Sequence, residues 1–182
     1  MFKRFWFDIV DAAPVDARSV RYWDKAGTES NDADYTAGVR MVVDANRQYY
    51  IADVQRGQWS ALSREQIVRQ TAQMDGQASP VWVEQEPGSG GKESAQATIR
   101  NLAGWTVRAE RVTGDKQTRA EPFAAQCEAG NVRIVRGDWN AAYLDELMMF
   151  PNGKHDDQVD ASSGAFNKLA RPAMREARSF QG

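Results

Sequence analysis

Cysteine, net charge and long apolar runs are all scarce in this sequence. Its 182 residues include a single cysteine, Cys127, which excludes an intramolecular disulfide and suits a reducing compartment. No apolar run approaches the ~18 residues of a membrane span. The short apolar stretch within residues 1–10 has no cleavage site of the signal-peptide type after it. We therefore expect a protein without membrane segments that stays in the cytoplasm.

The sequence also lacks the positive charge that is usual in nucleic-acid-binding domains. Its formal net charge is −2 and its isoelectric point is near 5.5. If DNA is the partner, the attraction has to come from a local basic patch or from metal ions that neutralise a carboxylate site. The composition, with 42% hydrophobic and 10% aromatic residues, is that of a globular chain long enough for one domain with a sizeable core.

Alternating apolar runs and helix signals predict an α/β domain with a mixed central β-sheet flanked by helices. Residues 1–18 are predicted as an irregular arm whose aromatic residues Phe2, Trp6 and Phe7 dock on a surface. The predicted strands are 19–24, 35–44, 48–60, 81–84, 105–111 and 132–136, and the second and third of them form a hairpin around a turn at 44–47. The predicted helices are 63–75, 92–103, 116–129, 139–150 and 156–169.

Capping residues and glycines set several of these predicted boundaries. Ser63 begins an S-x-x-Q capping box, and Asp138 is placed to cap the helix that follows it. Residues 25–34 are predicted as a polar loop. The glycine-rich segment 88–92 does not have the spacing of a phosphate-binding loop, so we interpret it as a flexible turn beside the site.

Carboxylates stand at the ends of strands and at the start of the last helix, where α/β folds usually place their sites. Asp24 closes the apolar run 20–23, Glu84 extends the run 81–83, and the pair Asp156–Asp157 opens the last helix. Hard divalent cations such as Mg²⁺ prefer carboxylate oxygens. Carboxylates from distant segments that converge on one sheet edge can hold two such ions for phosphodiester hydrolysis.

Each of these carboxylates also has a purely structural interpretation. Asp24 is of a type that commonly forms turns after strands, and Asp156 can act as a helix N-cap. Glu84 favours a functional interpretation, because a carboxylate that extends a V-W-V run is costly to bury without a partner. His155, the single histidine, is of a type found more often at the surface than as a ligand.

Three longer stretches carry a resemblance to a known family. They are VWVEQEPGSGGKESA at 81–95, GDKQTRAEPFAAQCEAGNVRIV at 114–135 and LDELMMFPNGKHDDQVDASSGAF at 144–166. Together with RYWDKAGT at 21–28, they resemble the C-terminal nuclease domain of the large terminase subunit of tailed bacteriophages. The H-D-D-x-x-D-A element at 155–161 is the most specific of these pieces. The resemblance spans about residues 19–170.

The resemblance implies an RNase H-like fold and a two-metal endonuclease that cuts double-stranded DNA during genome packaging, with Mg²⁺ or Mn²⁺ as cofactor. When the functional residues of the family are matched to this sequence by their positions in the motifs, the catalytic and metal-binding acids are Asp24, Glu84 and Asp157. Asp156 is a further metal ligand. Possible metal or supporting residues are Glu86, Asp160 and His155. Glu86 competes with Glu84, because two residues that are two apart on a strand point to one face. The implied DNA contacts are Lys116, Arg119 and Lys92, and the alternative for each is a solvated basic face.

The resemblance also sets the expected organisation and partners. Residues 1–18 would be the join to a packaging ATPase domain, residues 19–170 the nuclease domain, and residues 171–182 a basic C-terminal tail. No Walker motif is present, so an excised domain is expected. The implied partners are double-stranded DNA, the terminase small subunit, the portal and the ATPase domain, in the cytoplasm of the host cell. Two alternatives stay open: another RNase H-like nuclease of the resolvase or transposase type, and a non-catalytic DNA-binding or motor-docking module.

Overall fold

The computed structural model describes residues 1–27 and 35–171. These residues form seven strands and five α-helices in one mixed sheet flanked by helices, which confirms the predicted fold class. The strands are β1 (Asp8–Val10), β2 (Arg18–Asp24), β3 (Thr36–Val43), β4 (Tyr49–Gly57), β5 (Val81–Gln85), β6 (Val107–Arg111) and β7 (Val132–Val135). The helices are α1 (Ala61–Asp75), α2 (Ser89–Asn101), α3 (Lys116–Glu128), α4 (Asn140–Met149) and α5 (Asp157–Ala170).

Strands β2 and β5 are neighbours in the sheet. Its strand order is β1-β7-β4-β3-β2-β5-β6. The β2–β3 and β3–β4 pairs are antiparallel, and the other pairs are parallel. Trp23 of β2 is opposite Val83 of β5, and Glu84 is opposite Glu110 of β6. The carboxyl ends of β2, β5 and β6 therefore meet at one edge of the sheet.

The two faces of the sheet pack against different helices. Successive side chains of a strand point to opposite faces. In β2, Tyr22 joins the core formed with α3, α4 and α5, and Trp23 joins the smaller core formed with α1 and α2. Both side chains are fully buried. Asp24 follows Trp23, so its side chain lies on the same face as Tyr22, which is the face that α5 covers.

The N-terminal segment departs from its prediction as an irregular arm. Asp8–Val10 forms strand β1, which pairs in parallel with β7, and Arg4–Trp6 forms one 3-10 turn. The predicted docking of the aromatic residues is confirmed: Phe2 and Phe7 are buried, and Trp6 is partly buried against the same core. The Phe2 ring lies 5.5 Å from that of Phe123 on α3. Strand β1 forms hydrogen bonds with the otherwise free edge of β7, and no local sequence pattern predicts this pairing.

Three predicted helix starts are wrong by one to three residues. Helix α1 is capped by Ser60, whose hydroxyl accepts from the Ser63 amide, so Ser63 is not the N-cap. Helix α2 begins at Ser89, so the glycine-rich segment is its first turn and not a flexible turn. A Cβ at Gly91 would collide with the Glu86 carbonyl group, which explains a glycine at this position. Helix α4 begins at Asn140 after Trp139, and Asp138 does not cap it.

Two predicted segments extend beyond the described part of the chain. Residues 28–34 of the predicted loop and residues 172–182 of the predicted tail lie outside the described residues. The predicted division into arm, domain and tail stays a prediction.

Among the helices that the structure describes, none is long and apolar enough to cross a membrane.

Gly164 sets how closely α5 approaches β2, and its replacement gives a first prediction. A Cβ at this position would lie 2.5 Å from Cε1 of the buried Tyr22 ring. We expect Gly164→Ala to lower the free energy of unfolding by about 1–3 kcal/mol, because the ring cannot move within a packed core. Thermal and urea denaturation measure this change.

Gly90→Ala is the matched control, since a Cβ on that α2 glycine meets nothing within 4 Å. It should not lower stability, because alanine favours helix over glycine. Equal stability of Gly164→Ala and the wild-type protein would show that this contact does not limit the approach of α5.

Candidate metal centre

Asp24 and Glu84 lie side by side at the carboxyl edge of the sheet. Asp24 is the last residue of β2, and the parallel pairing of β2 with β5 places Glu84 next to it. Both side chains point to the face that α5 covers, because each is one residue beyond a side chain of the opposite face. The Glu84 side chain is 11% exposed. Two segments about 60 residues apart in sequence therefore deliver two adjacent carboxylates.

The N-terminus of α5 brings further acids to the same place. Helix α5 lies across β2 and β3 and begins at Asp157, directly after Asp156. Asp157 and Asp160 are three residues apart, so they lie on one side of the first turn. The Asp160 side chain is only 3% exposed. Buried carboxylates this close to Asp24 and Glu84 must interact electrostatically.

The crowding of these acids changes their proton affinities. Burial raises the pKa of Asp24 well above its ordinary value, and the charges of Glu84, Asp160 and Asp157 raise it further. Burial also raises the pKa of Glu84 to about 7, although Arg119 opposes the shift. The pKa of Asp157 rises to about 7 through burial and through the charges of Glu146 and Asp156. Carboxylates held in this way favour a cation that would neutralise them.

Several carboxylate oxygens in the cluster accept no hydrogen bond. Oε2 of Glu84 and Oδ2 of Asp157 are buried and accept no hydrogen bond. Within the described residues, the Asp24 carboxylate has neither a hydrogen bond nor an ion pair. Buried unpaired oxygens are costly, and hard divalent cations bind such oxygens. The residues present therefore fit Mg²⁺ or Mn²⁺, with Asp24, Glu84 and Asp157 as the available donors.

Basic side chains of α3 lie among the same acids. Nζ of Lys116 is 2.7 Å from Asp156 Oδ1 and 2.7 Å from Asp160 Oδ2. Nη2 of Arg119 is 3.2 Å from Asp160 Oδ1, and its Nη1 is 3.6 Å from Glu84 Oε2. Within residues 1–27 and 35–171, no three Asp, Glu, His or Cys side chains are already gathered for one ion. Binding a metal therefore requires the acids to shift relative to these cations.

Asp156 does not cap helix α5 with its side chain, which is the structural role that the sequence suggests as an alternative. It occupies the N-cap position of α5, but its side chain makes no capping hydrogen bond. Its carboxylate instead binds Lys116. Burial lowers the pKa of Lys116, but the hydrogen bonds to Asp156 and Asp160 outweigh this, and the pKa is raised overall. Asp156 thus lies at the outer rim of the acid cluster.

The remaining predicted residues lie around this cluster. Strand β5 ends at Gln85, so Glu86 is not on the strand, and the argument that it shares the face of Glu84 fails. Glu86 nevertheless lines the same small cleft as Glu84, together with Lys25 and Gly91. The ring of His155 packs edge-on against Tyr35, with 4.9 Å between ring centroids. Lys92 is exposed on α2.

Two acids near the centre are absent from the sequence prediction. Glu110 lies opposite Glu84 in the sheet, accepts a hydrogen bond from the Tyr22 hydroxyl and forms an ion pair with Lys168. Its position at the end of β6, equivalent to that of Glu84 in β5, is a signal that could have identified it. Glu146 of α4 accepts from the backbone and side-chain amides of Gln158 at 2.6 and 2.5 Å. No local pattern indicates Glu146, because α4 and α5 meet only in the tertiary structure.

One known protein family matches the sequence, and several solved structures are similar to the fold. The family model described as "Terminase RNaseH-like domain" matches residues 21–169. No curated protein matches the sequence. A human cytomegalovirus terminase nuclease domain is similar in structure with a TM-score of 0.71 and 15% identity, over 94% of this chain and 96% of that chain.

A large terminase nuclease from the thermophilic phage G20c, solved with bound zinc, gives a TM-score of 0.63 and 20% identity, over 87% of this chain and 85% of that chain. A fowlpox virus resolvase, solved with Holliday junction DNA, gives 0.50 and 10% identity, over 83% of this chain and 95% of that chain. At these identities the structural matches establish the fold alone.

Proposed function

Since the chain belongs to the family of terminase RNaseH-like domains, we propose that it is a metal-dependent endonuclease domain of a large terminase subunit. We propose that its substrate is double-stranded DNA, which it would cut during genome packaging. The observation that carries the proposal is the convergence of Asp24, Glu84 and Asp157, with buried oxygens that lack hydrogen-bond partners. The cofactor would be Mg²⁺ or Mn²⁺, as two ions.

The residues of the site have separate roles in this proposal. Asp24, Glu84 and Asp157 would hold the ions, and Asp156 would be the adjunct ligand at the rim. Bound Mg²⁺ or Mn²⁺ would activate the attacking water and stabilise the leaving 3′ oxygen. Tyr22, fully buried beneath these acids, donates to Glu110 and is held away from solvent.

Incubation of supercoiled plasmid with the purified protein tests the activity. We expect nicked and then linear DNA in the presence of Mn²⁺ or Mg²⁺ and no product when EDTA is present. Intact plasmid with every divalent ion tried would contradict the nuclease proposal and favour the non-catalytic module. A nuclease of the resolvase type would instead prefer a four-way junction to linear duplex, so the two substrates compared at equal concentration separate the two nuclease classes.

The DNA contacts stay a prediction, for which Lys92 is the clearest case. Its ammonium group is exposed on α2 and forms no ion pair among the described residues. Arg111 at the end of β6 is also exposed, and it lines a surface groove together with Lys92. We expect Lys92→Ala to weaken binding of duplex DNA and to reduce the slope of log K against log[salt] by about one unit.

Fluorescence anisotropy over a series of salt concentrations measures this slope, in Ca²⁺ to avoid cleavage. Lys154→Ala, which removes an exposed lysine before α5, is the control. An unchanged slope in Lys92→Ala would favour the alternative that Lys92 belongs to a solvated basic face.

The terminase small subunit, the portal, an ATPase domain and a location in the host cytoplasm are proposed from family membership.

A further inference from the structure

Lys116 has the position of a built-in cation of the acid cluster. Its ammonium group, at the first residue of α3, bridges Asp156 and Asp160 with two contacts of 2.7 Å each. The Lys116 side chain is half-exposed, whereas that of Asp160 is buried. An ammonium group is a compact point charge with three donors, so it can satisfy two carboxylates at once. Its charge therefore neutralises part of the negative charge of the cluster.

Arg119, one turn further along α3, engages the other oxygen of Asp160. Its guanidinium group lies between Asp160 and Glu84, at 3.2 and 3.6 Å. Both oxygens of Asp160 are therefore occupied by cations, one by Lys116 and one by Arg119. Asp24 and Oδ2 of Asp157 have no such partner among the described residues. Asp24 and Asp157 therefore have oxygens without a cationic partner, whereas both oxygens of Asp160 are held by ion pairs.

We propose that Lys116 is an internal counter-ion that competes with divalent metal for this site, and that Asp160 is a positioning carboxylate. The proposal rests on the metal-dependent function proposed above. A positive charge a few ångströms from the ion repels it, and Asp156 can turn toward the ion only when it releases Lys116. Metal binding would therefore break the contact of Lys116 with Asp156 and leave Asp160 as the partner of its ammonium group.

Replacement of the charge tests the competition directly. We expect Lys116→Met to bind Mn²⁺ about tenfold more tightly than the wild-type protein, the scale of removing one nearby unit charge in a solvent-accessible site. Isothermal titration of Mn²⁺ into the metal-free protein, without DNA, measures this affinity. Lys116→Arg keeps the charge and should keep the wild-type affinity. Lys154→Met removes an exposed lysine from the loop before α5 and should also leave the affinity unchanged.

A double-mutant cycle in the metal-free protein tests the ion pair itself. Lys116→Met should lower the melting temperature because it leaves Asp160 with one cation. The same replacement in an Asp160→Asn background should have a smaller effect. Lys116→Gln serves as a second neutral variant, and circular dichroism verifies the fold of each.

The outcomes that overturn the proposal are distinct from a failure of the nuclease function. Equal or weaker Mn²⁺ binding by Lys116→Met, while the wild-type protein binds and cuts normally, would overturn the counter-ion role. Loss of DNA affinity with unchanged Mn²⁺ affinity would do the same and assign Lys116 to DNA contact. Absence of coupling between Lys116 and Asp160 would overturn the positioning role of Asp160. A wild-type protein that neither binds Mn²⁺ nor cuts DNA would overturn the proposed function and this inference with it.

Discussion

Asp24→Asn, Glu84→Gln and Asp157→Asn should each reduce the rate of DNA cleavage by at least about 10³-fold, or about 4 kcal/mol of transition-state stabilisation. The amide keeps the size of the side chain but removes the negative charge that a hard divalent ion requires. Among these acids, Glu84 and Asp157 each have a buried oxygen that accepts no hydrogen bond. Plasmid nicking under single-turnover conditions measures the loss.

The fold should survive each of these changes. The raised pKa values of the three acids show that their charged forms are unfavourable in the folded protein. A neutral amide avoids the cost of burying a charge and the repulsion by neighbouring acids, so the melting temperature without metal should stay equal or rise. Reduced cleavage together with an unchanged or higher melting temperature therefore separates a loss of chemistry from a loss of structure.

Two further variants make the assignment specific. Glu121→Gln removes an exposed acid from α3 and is the matched control, expected to cut at the wild-type rate. Glu86→Gln should also remain active, because Glu86 lies beyond the end of β5. Asp156→Asn should lose less activity than the three central variants. If Glu86→Gln is inactive while Glu84→Gln cuts normally, the second ligand is Glu86. Wild-type rates in all three central variants would end the nuclease proposal.

Without metal, the protein should lose stability as the pH rises from about 5 to 8. The folded-state pKa values of Glu84 and Asp157 are raised to about 7 from ordinary values of 4.5 and 3.8. The folded state therefore binds more protons than the unfolded state between these limits. The stabilisation is complete below the unfolded pKa and disappears as the pH passes about 7. Melting temperatures measured in EDTA across this pH range give the slope.

Addition of Mn²⁺ should reverse this loss at high pH. At a concentration one hundred times Kd, the ion should raise the melting temperature at pH 8 by about 5–10 °C. At pH 5 the rise should be much smaller, because protons compete with the ion for the same oxygens. The double variant Glu84→Gln, Asp157→Asn should show a smaller pH slope, because Asp24 and its raised pKa remain, and a weaker response to Mn²⁺, whereas Glu121→Gln should retain both in full. A wild-type melting temperature that changes with neither pH nor Mn²⁺ would contradict a metal site formed by these acids.

Much of the architecture is readable from local patterns in the chain. The hairpin of β3 and β4 follows from two apolar runs around a turn, and α1 ends at Gly76 as its glycine predicts. Helix α5 begins within one residue of its predicted start because Asp156 and Asp157 mark a helix N-terminus. These features depend on residues close together in sequence, so local chemistry is sufficient to place them.

The acids at the strand ends are predictable for a related reason. Asp24 and Glu84 each interrupt an apolar run, and a carboxylate at such a point is costly unless it has a role. The motif around Asp157 then supports the same site through its family resemblance. The sequence by itself thus determined the fold class, the family and the three acids proposed as ligands.

Only the tertiary structure decided what those acids face. Strand β1 forms because β7 offers it a free edge, and Glu110 joins the centre because β6 pairs with β5. Lys116 and Arg119 look like solvated or DNA-binding residues in the sequence, yet α3 packs against α5 and directs them at Asp160. The reason is physical: the partner of a charged side chain depends on distances across the fold, and residues 40 positions apart meet only when the helices that carry them pack together.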